Sequence, residues 1–182
     1  YAQGLGAKVH RARLDDDLGV DLDKMKSKIT AKTNLVYLCN PNNPTGKTIP
    51  DAQVRPFCQE VSKNRLVFVD EAYHEYVGDP NYKTSVDLVK AGHNIIVSRT
   101  ASKIHGLAGL RVGFGIANPA LIRRLKQITT GTTNIIGLRA AIASYRDQDF
   151  QNMSLSKNNA SKEIVYNMLR DAGPVSYTHL TL

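Results

Sequence analysis

The sequence predicts an α/β fold, a three-layer sandwich built on a mostly parallel sheet. Two observations carry that prediction. Short apolar runs rich in β-branched residues alternate with longer runs whose apolar residues recur at helical spacing, and turn formers fall between the two kinds of run. Helices are expected on both faces of the sheet, because parallel strands need crossovers that pack back against it. A third observation bounds the size: 182 residues, 42% of them hydrophobic, suit one domain with a real core.

Taken in order, residues 7–14 read as a first strand. Asp21 caps a helix that places Leu22, Met25 and Ile29 on one face. Leu35 to Leu38 form a compact buried strand, closed by the turn-rich run at 40–46. The next helix turns Val54, Phe57 and Val61 inward, and Pro56 should kink or shorten it. Leu66 to Val69, Asn94 to Ser98 and Val112 to Ile116 give three more strands. Asn118-Pro119 opens a helix carrying Leu121, Ile122 and Leu125. Two further helices cover Ile135 to Tyr145 and about Phe150 to Asp171. Internal repeats, low-complexity stretches and domain linkers are absent from the sequence.

Composition excludes several function classes. Cys39 and Cys58 cannot build a disulfide scaffold, and no CxxC or Cys/His cluster predicts a metal site. No apolar run approaches the ~20 residues that span a membrane, so a cytoplasmic protein is expected. The net charge of +8 is uneven: from Leu88 to Arg146 there is no acidic residue, against Lys90, Arg99, Lys103, Arg111, Arg123, Arg124, Lys126, Arg139 and Arg146. Such a field suits a solvated face, an interface or an anionic ligand. Nucleic acid is the reading from another class, but aromatic residues do not interleave with these cations. The opening Tyr1-Ala2-Gln3-Gly4, without an initiator Met, reads like the middle of a longer protein. Residues 175–182 resemble the translation of a sequencing-library adaptor, so 174–182 are treated as a non-native tail and 1–173 as the domain.

Ligands of open α/β sheets sit beyond the carboxyl ends of the strands. Three strand ends there carry candidate chemistry. The first is Asn40-Pro41-Asn42-Asn43-Pro44-Thr45-Gly46, which alone is only a set of turn formers. The second is Asp70-Glu71-Ala72-Tyr73. The third runs from Arg99-Thr100-Ala101-Ser102-Lys103 into Gly106-Leu107-Ala108-Gly109-Leu110-Arg111-Val112-Gly113. A lysine in a hydroxyl- and glycine-rich loop, with an arginine eight residues later, suits a phosphate-bearing ligand.

Together the three resemble the fold type I aminotransferases that depend on pyridoxal 5′-phosphate, most closely the histidinol-phosphate aminotransferase group. The resemblance runs from about Tyr1 to Asp171. It implies that Lys103 forms an aldimine with the cofactor aldehyde and then shuttles a proton, a role that burial among cations would favour. It implies that Asp70 partners the pyridine nitrogen. Asn43 and Tyr73 resemble the pair that bonds the phenolic oxygen, and Thr100, Ser102 and Arg111 resemble phosphate ligands. Tyr73 as core packing and Thr100 as a loop cap are the plainer readings. His74, His105 and Arg99 receive no role.

The resemblance implies transfer of an amino group between an L-amino acid or amino-phosphate, histidinol phosphate among them, and a 2-oxo acid. A decarboxylase of the same fold is the alternative within the superfamily. It further implies a homodimer and a large cofactor-binding domain that is incomplete here, with an N-terminal segment and a C-terminal small domain outside this sequence. The 182 residues alone are then expected to be inactive and poorly soluble.

Overall fold

A computed structural model of the chain describes residues 2–129, 131–132 and 134–172. Four strands, β1 (Leu35–Cys39), β2 (Leu66–Asp70), β3 (Ile95–Thr100) and β4 (Gly113–Ile116), form one sheet in the order β1-β2-β3-β4. The first three are parallel, with Cys39 opposite Asp70 and Asp70 opposite Ser98; β4 pairs antiparallel to β3, with Thr100 opposite Gly113. The sheet is thus mostly parallel, as the alternation of runs predicts, and its edge strand β4 is antiparallel.

Six helices accompany it among the described residues: α1 (Leu22–Ser27), α2 (Asp51–Val61), α3 (Val86–Lys90), α4 (Pro119–Ile128), α5 (Ile135–Arg146) and α6 (Gln148–Asp171). None is long and apolar enough to cross a membrane. Val36, Leu38, Val67, Val69, Ile95 and Val97 alternate onto one face of the sheet. There they meet Val54, Phe57, Cys58 and Val61 of α2 and Leu88 and Val89 of α3, with Leu22 and Met25 of α1 at the margin. The predicted caps form: Asp21 accepts from the Lys24 amide at 2.8 Å and Asn118 from the Leu121 amide at 2.9 Å. A second cluster joins Ala101 and Val112 to Ala141 of α5, with Tyr145 beside them.

One expectation is corrected and another narrowed. Residues 7–14 are irregular and mostly exposed, not a strand. Alternation of residue types does not make a strand without a ladder to satisfy its backbone, and no described strand pairs with this segment. Of the two outcomes expected at Pro56, shortening does not occur: α2 runs unbroken from Asp51 to Val61. Both Pro56 and Ala52, whose carbonyl loses its partner, are exposed, so water can take the missing bond. The helices fall on both faces, as expected: α1, α2 and α3 pack on one, and on the other Leu125 of α4 lines one cleft with Phe68 and Ile96, while Leu35 and Tyr37 remain 51% and 53% exposed. The second helical layer is therefore incomplete among the described residues. The segment at 174–182 lies outside them.

Candidate active site at the strand ends

Because β1, β2 and β3 are parallel, the segments that leave them emerge on one side of the sheet. A cleft of about 690 Å³ opens there, lined by Asp70, Ser98, Thr100, Ser102, Lys103 and Arg111 among others. Asn43 and Tyr73 adjoin it: the Asn43 amide donates to the Tyr73 hydroxyl at 3.3 Å, and the Lys103 Nζ stands 4.8 Å from the centre of the Tyr73 ring. All seven candidate residues thus gather at one edge of the sheet.

Asp70 closes β2 and is held by three donors. Ser98 Oγ and the Ala72 amide both reach its Oδ1 at 3.1 Å, and the Tyr37 hydroxyl donates to Oδ2 at 2.8 Å. Register explains the convergence. Tyr37 faces Phe68 and Cys39 faces Asp70, so Tyr37, Asp70 and Ser98 share the face opposite the core. Tyr37 stacks on Phe68 with centroids 5.7 Å apart, and partial burial together with Asp70 raises its phenol well above the usual range. Neither Tyr37 nor Ser98 stands out in the sequence as a site residue, yet counting residues by twos back from Asp70 and across the register would have found both.

The loop from β3 to β4 carries Ser102, Lys103 and Arg111. Its ends are tied by Ala101 N–H donating to Val112 O at 3.1 Å. Thr100 is already committed: its hydroxyl donates to Val112 O at 3.3 Å and accepts from the Ser102 amide at 3.1 Å. A hydroxyl has one proton, so in this arrangement Thr100 shapes the loop, and contact with a phosphate would require its proton to turn away from Val112. Arg111 adopts φ 55°, a left-handed conformation that an L side chain avoids. One of its nitrogens donates to Ala108 O at 2.9 Å, leaving most of its guanidinium N–H groups for an anion. Lys103 is exposed, although burial would favour the role that the resemblance implies for it. It lines the cleft together with Phe68 and Ile96 of the face opposite the core. Asn40-Pro41 and Asn43-Pro44 are cis peptides in the loop after β1.

Behind these residues, Arg99 and Glu71 form a buried ion pair with Nη2 and Oε2 2.7 Å apart. Glu71 is 1% exposed. It also accepts from Thr84 Oγ1 at 2.8 Å and from the Ser85 amide at 2.6 Å. The pair links the residue after Asp70 to the residue before Thr100, and it accounts for two motif residues to which no chemistry is assigned in the sequence.

The chain matches the family described as aminotransferase class I and II over residues 1–173. It is 38% identical to the histidinol-phosphate aminotransferase of Bacillus velezensis over 177 residues, covering 97% of this chain and 49% of the relative. With that of Moorella thermoacetica it shares 41% identity over 155 residues, 84% of this chain and 40% of the relative. Among solved structures, the histidinol-phosphate aminotransferase of Sinorhizobium meliloti in complex with pyridoxal 5′-phosphate superimposes with a TM-score of 0.86 at 30% identity, covering 94% of this chain and 47% of that one. The chain spans about half the length of the curated relatives it matches.

Proposed function

The chain belongs to the class I and II aminotransferases, and from that premise we propose that it forms the cofactor-holding part of an enzyme that transfers an amino group between an amino acid or amino-phosphate and a 2-oxo acid. The donor set fits pyridoxal 5′-phosphate. One cleft offers an amine at Lys103, a carboxylate at Asp70, and hydroxyl and guanidinium groups at Ser102 and Arg111. These match an aldehyde, a basic ring nitrogen and a phosphate in turn. The left-handed Arg111 supports the same assignment, because strain of this kind gathers where a side chain must be aimed at a ligand.

When bound, the cofactor supplies an aldehyde that captures amines and a ring that draws electrons from the substrate α-carbon. The protein supplies the rest. Asp70 would hold a proton at the ring nitrogen, and Tyr37, Ser98 and the Ala72 amide orient that carboxylate. The Asn43–Tyr73 pair would present hydrogen bonds to the phenolic oxygen. Lys103 Nζ would carry the proton to and from the α-carbon. Arg111 and Ser102 would fix the phosphate, with Thr100 shaping their loop.

Histidinol phosphate as the amino-phosphate is supported by the names of relatives at 38% and 41% identity. A homodimer and a cytoplasmic setting belong to the same proposal. The latter is supported by the free Cys39 and Cys58, which suit a reducing compartment. The single observation that carries the function is the convergence of Asp70, Lys103 and Arg111 on one cleft. The test loads the full-length protein with pyridoxal phosphate and follows visible absorbance and amino transfer from histidinol phosphate to a 2-oxo acid. Both signals should vanish in Lys103→Ala. Absorbance that survives the substitution, or its absence from the unsubstituted protein, refutes the assignment.

A further inference from the structure

On the side of the strand ends away from Asp70 and Ser98, the buried pair Glu71–Arg99 continues into a row of polar side chains. Arg99 Nη1 lies 3.6 Å from Glu75 Oε1, and that oxygen lies 3.9 Å from Nε2 of His105. The other ring nitrogen of His105, Nδ1, is 3.0 Å from Ser144 Oγ of α5. The ring packs on Tyr145 with centroids 3.8 Å apart, and Tyr145 in turn donates to the Thr100 carbonyl at 3.4 Å. Both Glu75 Oε1 and His105 Nε2 are buried, yet neither has a hydrogen-bond partner. An apolar residue at 105 would fill the space without an unpaired nitrogen, so this polar group carries a penalty that packing alone does not explain.

The position of His105 supplies the explanation. It stands two residues after Lys103 in a turn closed by the Gly106 amide donating to Lys103 O at 2.9 Å. Ala101, Ile104 and His105 are buried in this turn while Lys103 points outward. His105 is the one polar side chain among those three buried anchors. On its partner's side, Glu75 lies five residues after Asp70, in the short turn that follows β2.

We propose that His105 is a positioning residue for Lys103, docked against Glu75 so that the lysine-bearing turn and the strand end carrying Asp70 are held as one piece. The inference rests on the reading of Lys103 and Asp70 as cofactor-facing groups. It goes beyond that reading by assigning work to residues that touch neither cofactor nor substrate. The charged and titratable groups around the ring are Glu75 and, through it, Arg99 and Glu71 on one side, and Tyr145 on the other. Burial pushes the imidazole down and the Glu75 carboxyl up, and both shifts reduce the charge this interior must hold.

The test titrates the visible absorbance of the full-length, pyridoxal-phosphate-loaded protein against pH. An asparagine amide at 105 reaches about as far as Nδ1 and can keep Ser144, whereas a glutamine amide reaches about as far as Nε2 and can keep Glu75. His105→Asn and Glu75→Gln should each move the titration midpoint by about 0.5 unit or more, roughly threefold in the proton equilibrium. The double variant should move it no further than either single one. His105→Gln should restore most of the shift. Midpoints unchanged in His105→Asn and Glu75→Gln, with only thermal stability lowered, would overturn the proposal, as would simple additivity in the double variant. Should His105→Asn fail to fold, Ser144→Ala, which frees the same ring, decides between a moved and an unmoved midpoint. A missing Lys103-dependent band in the unsubstituted protein would instead remove the cofactor reading itself, so the two failures are distinguishable.

Discussion

The Tyr37 hydroxyl donates to Oδ2 of Asp70 across 2.8 Å, joining neighbouring parallel strands at their carboxyl ends. Ser98 and the Ala72 amide hold the other oxygen, so the carboxylate is fixed from both neighbouring strands and from the turn that follows it. Tyr37→Phe removes one donor and keeps the stacking on Phe68. Hydrogen bonds to charged groups contribute about 1.5–3 kcal/mol when well sheltered. With Tyr37 53% exposed, a loss of about 1 kcal/mol, or roughly fivefold in pyridoxal phosphate affinity, is the expected outcome. Equilibrium titration of the full-length protein measures it, and an unchanged affinity would show that Tyr37 does not orient Asp70 for the ligand.

The Glu71–Arg99 pair should dominate local stability. Removing one partner of a buried ion pair strands the other charge, at a cost of about 3–5 kcal/mol. Arg99→Ala leaves Glu71, 1% exposed, with only the Thr84 and Ser85 donors. Urea unfolding of the full-length protein should therefore show a large drop in midpoint for Arg99→Ala and a smaller one for Glu71→Gln, which keeps an acceptor. Equal, small losses in both would contradict the stranded-charge account.

His105 and Glu75 should tilt stability with pH in opposite directions. Burial lowers the His105 pKa from its ordinary 6.5, so the unfolded chain binds the proton first and stability is lost as pH falls below that value. Glu75 is raised above its ordinary 4.5, so the folded chain keeps its proton longer and stability declines as pH climbs above 4.5. His105→Gln should flatten the acid-side loss below pH 6.5, and Glu75→Gln should remove the opposing slope above pH 4.5. Chemical unfolding at a series of pH values reads both slopes. Substitutions that leave them parallel to the parent's would mean that neither group titrates with folding.

Gly137→Ala sets helix propensity against packing. Alanine gains about 1 kcal/mol over glycine inside a helix. A Cβ at 137, however, would stand 2.8 Å from Val112 Cγ2 and 2.9 Å from Nδ2 of Asn134, which caps α5 through the Gly137 amide at 3.0 Å. Overpacking costs about 1–3 kcal/mol and loss of a cap about 1 kcal/mol more, so the net effect is destabilising by about 1–3 kcal/mol. Thermal unfolding would show a lowered midpoint; a raised one would mean that α5 moves off Val112 freely.

What the sequence made legible was what is local. Leu35 to Leu38 and Leu66 to Val69 announce themselves as β-type runs, and the caps at Asp21 and Asn118 lie within three residues of the amides they satisfy. Motif order placed Asn43, Asp70 and Lys103 after consecutive strands. The failures share a different cause. Residues 7–14 have strand-like composition but no ladder to join, and pairing partners are not written in the segment itself. Glu71 and Arg99 are 28 residues apart and meet only across adjacent strand ends. Lys103 is exposed where its chemistry would favour burial, and burial is set by contacts from distant segments that its local motif does not encode.

The antiparallel return of β4 fixes both ends of the lysine segment. Thr100 opposes Gly113, and the Ala101 amide binds Val112 O, so residues 101–112 leave and re-enter the sheet at adjacent points. Closing so short a gap demands little of the intervening chain. Residues 101–112 thus form a loop clipped at its base, while His105 against Ser144 and Tyr145 anchors its interior to α5.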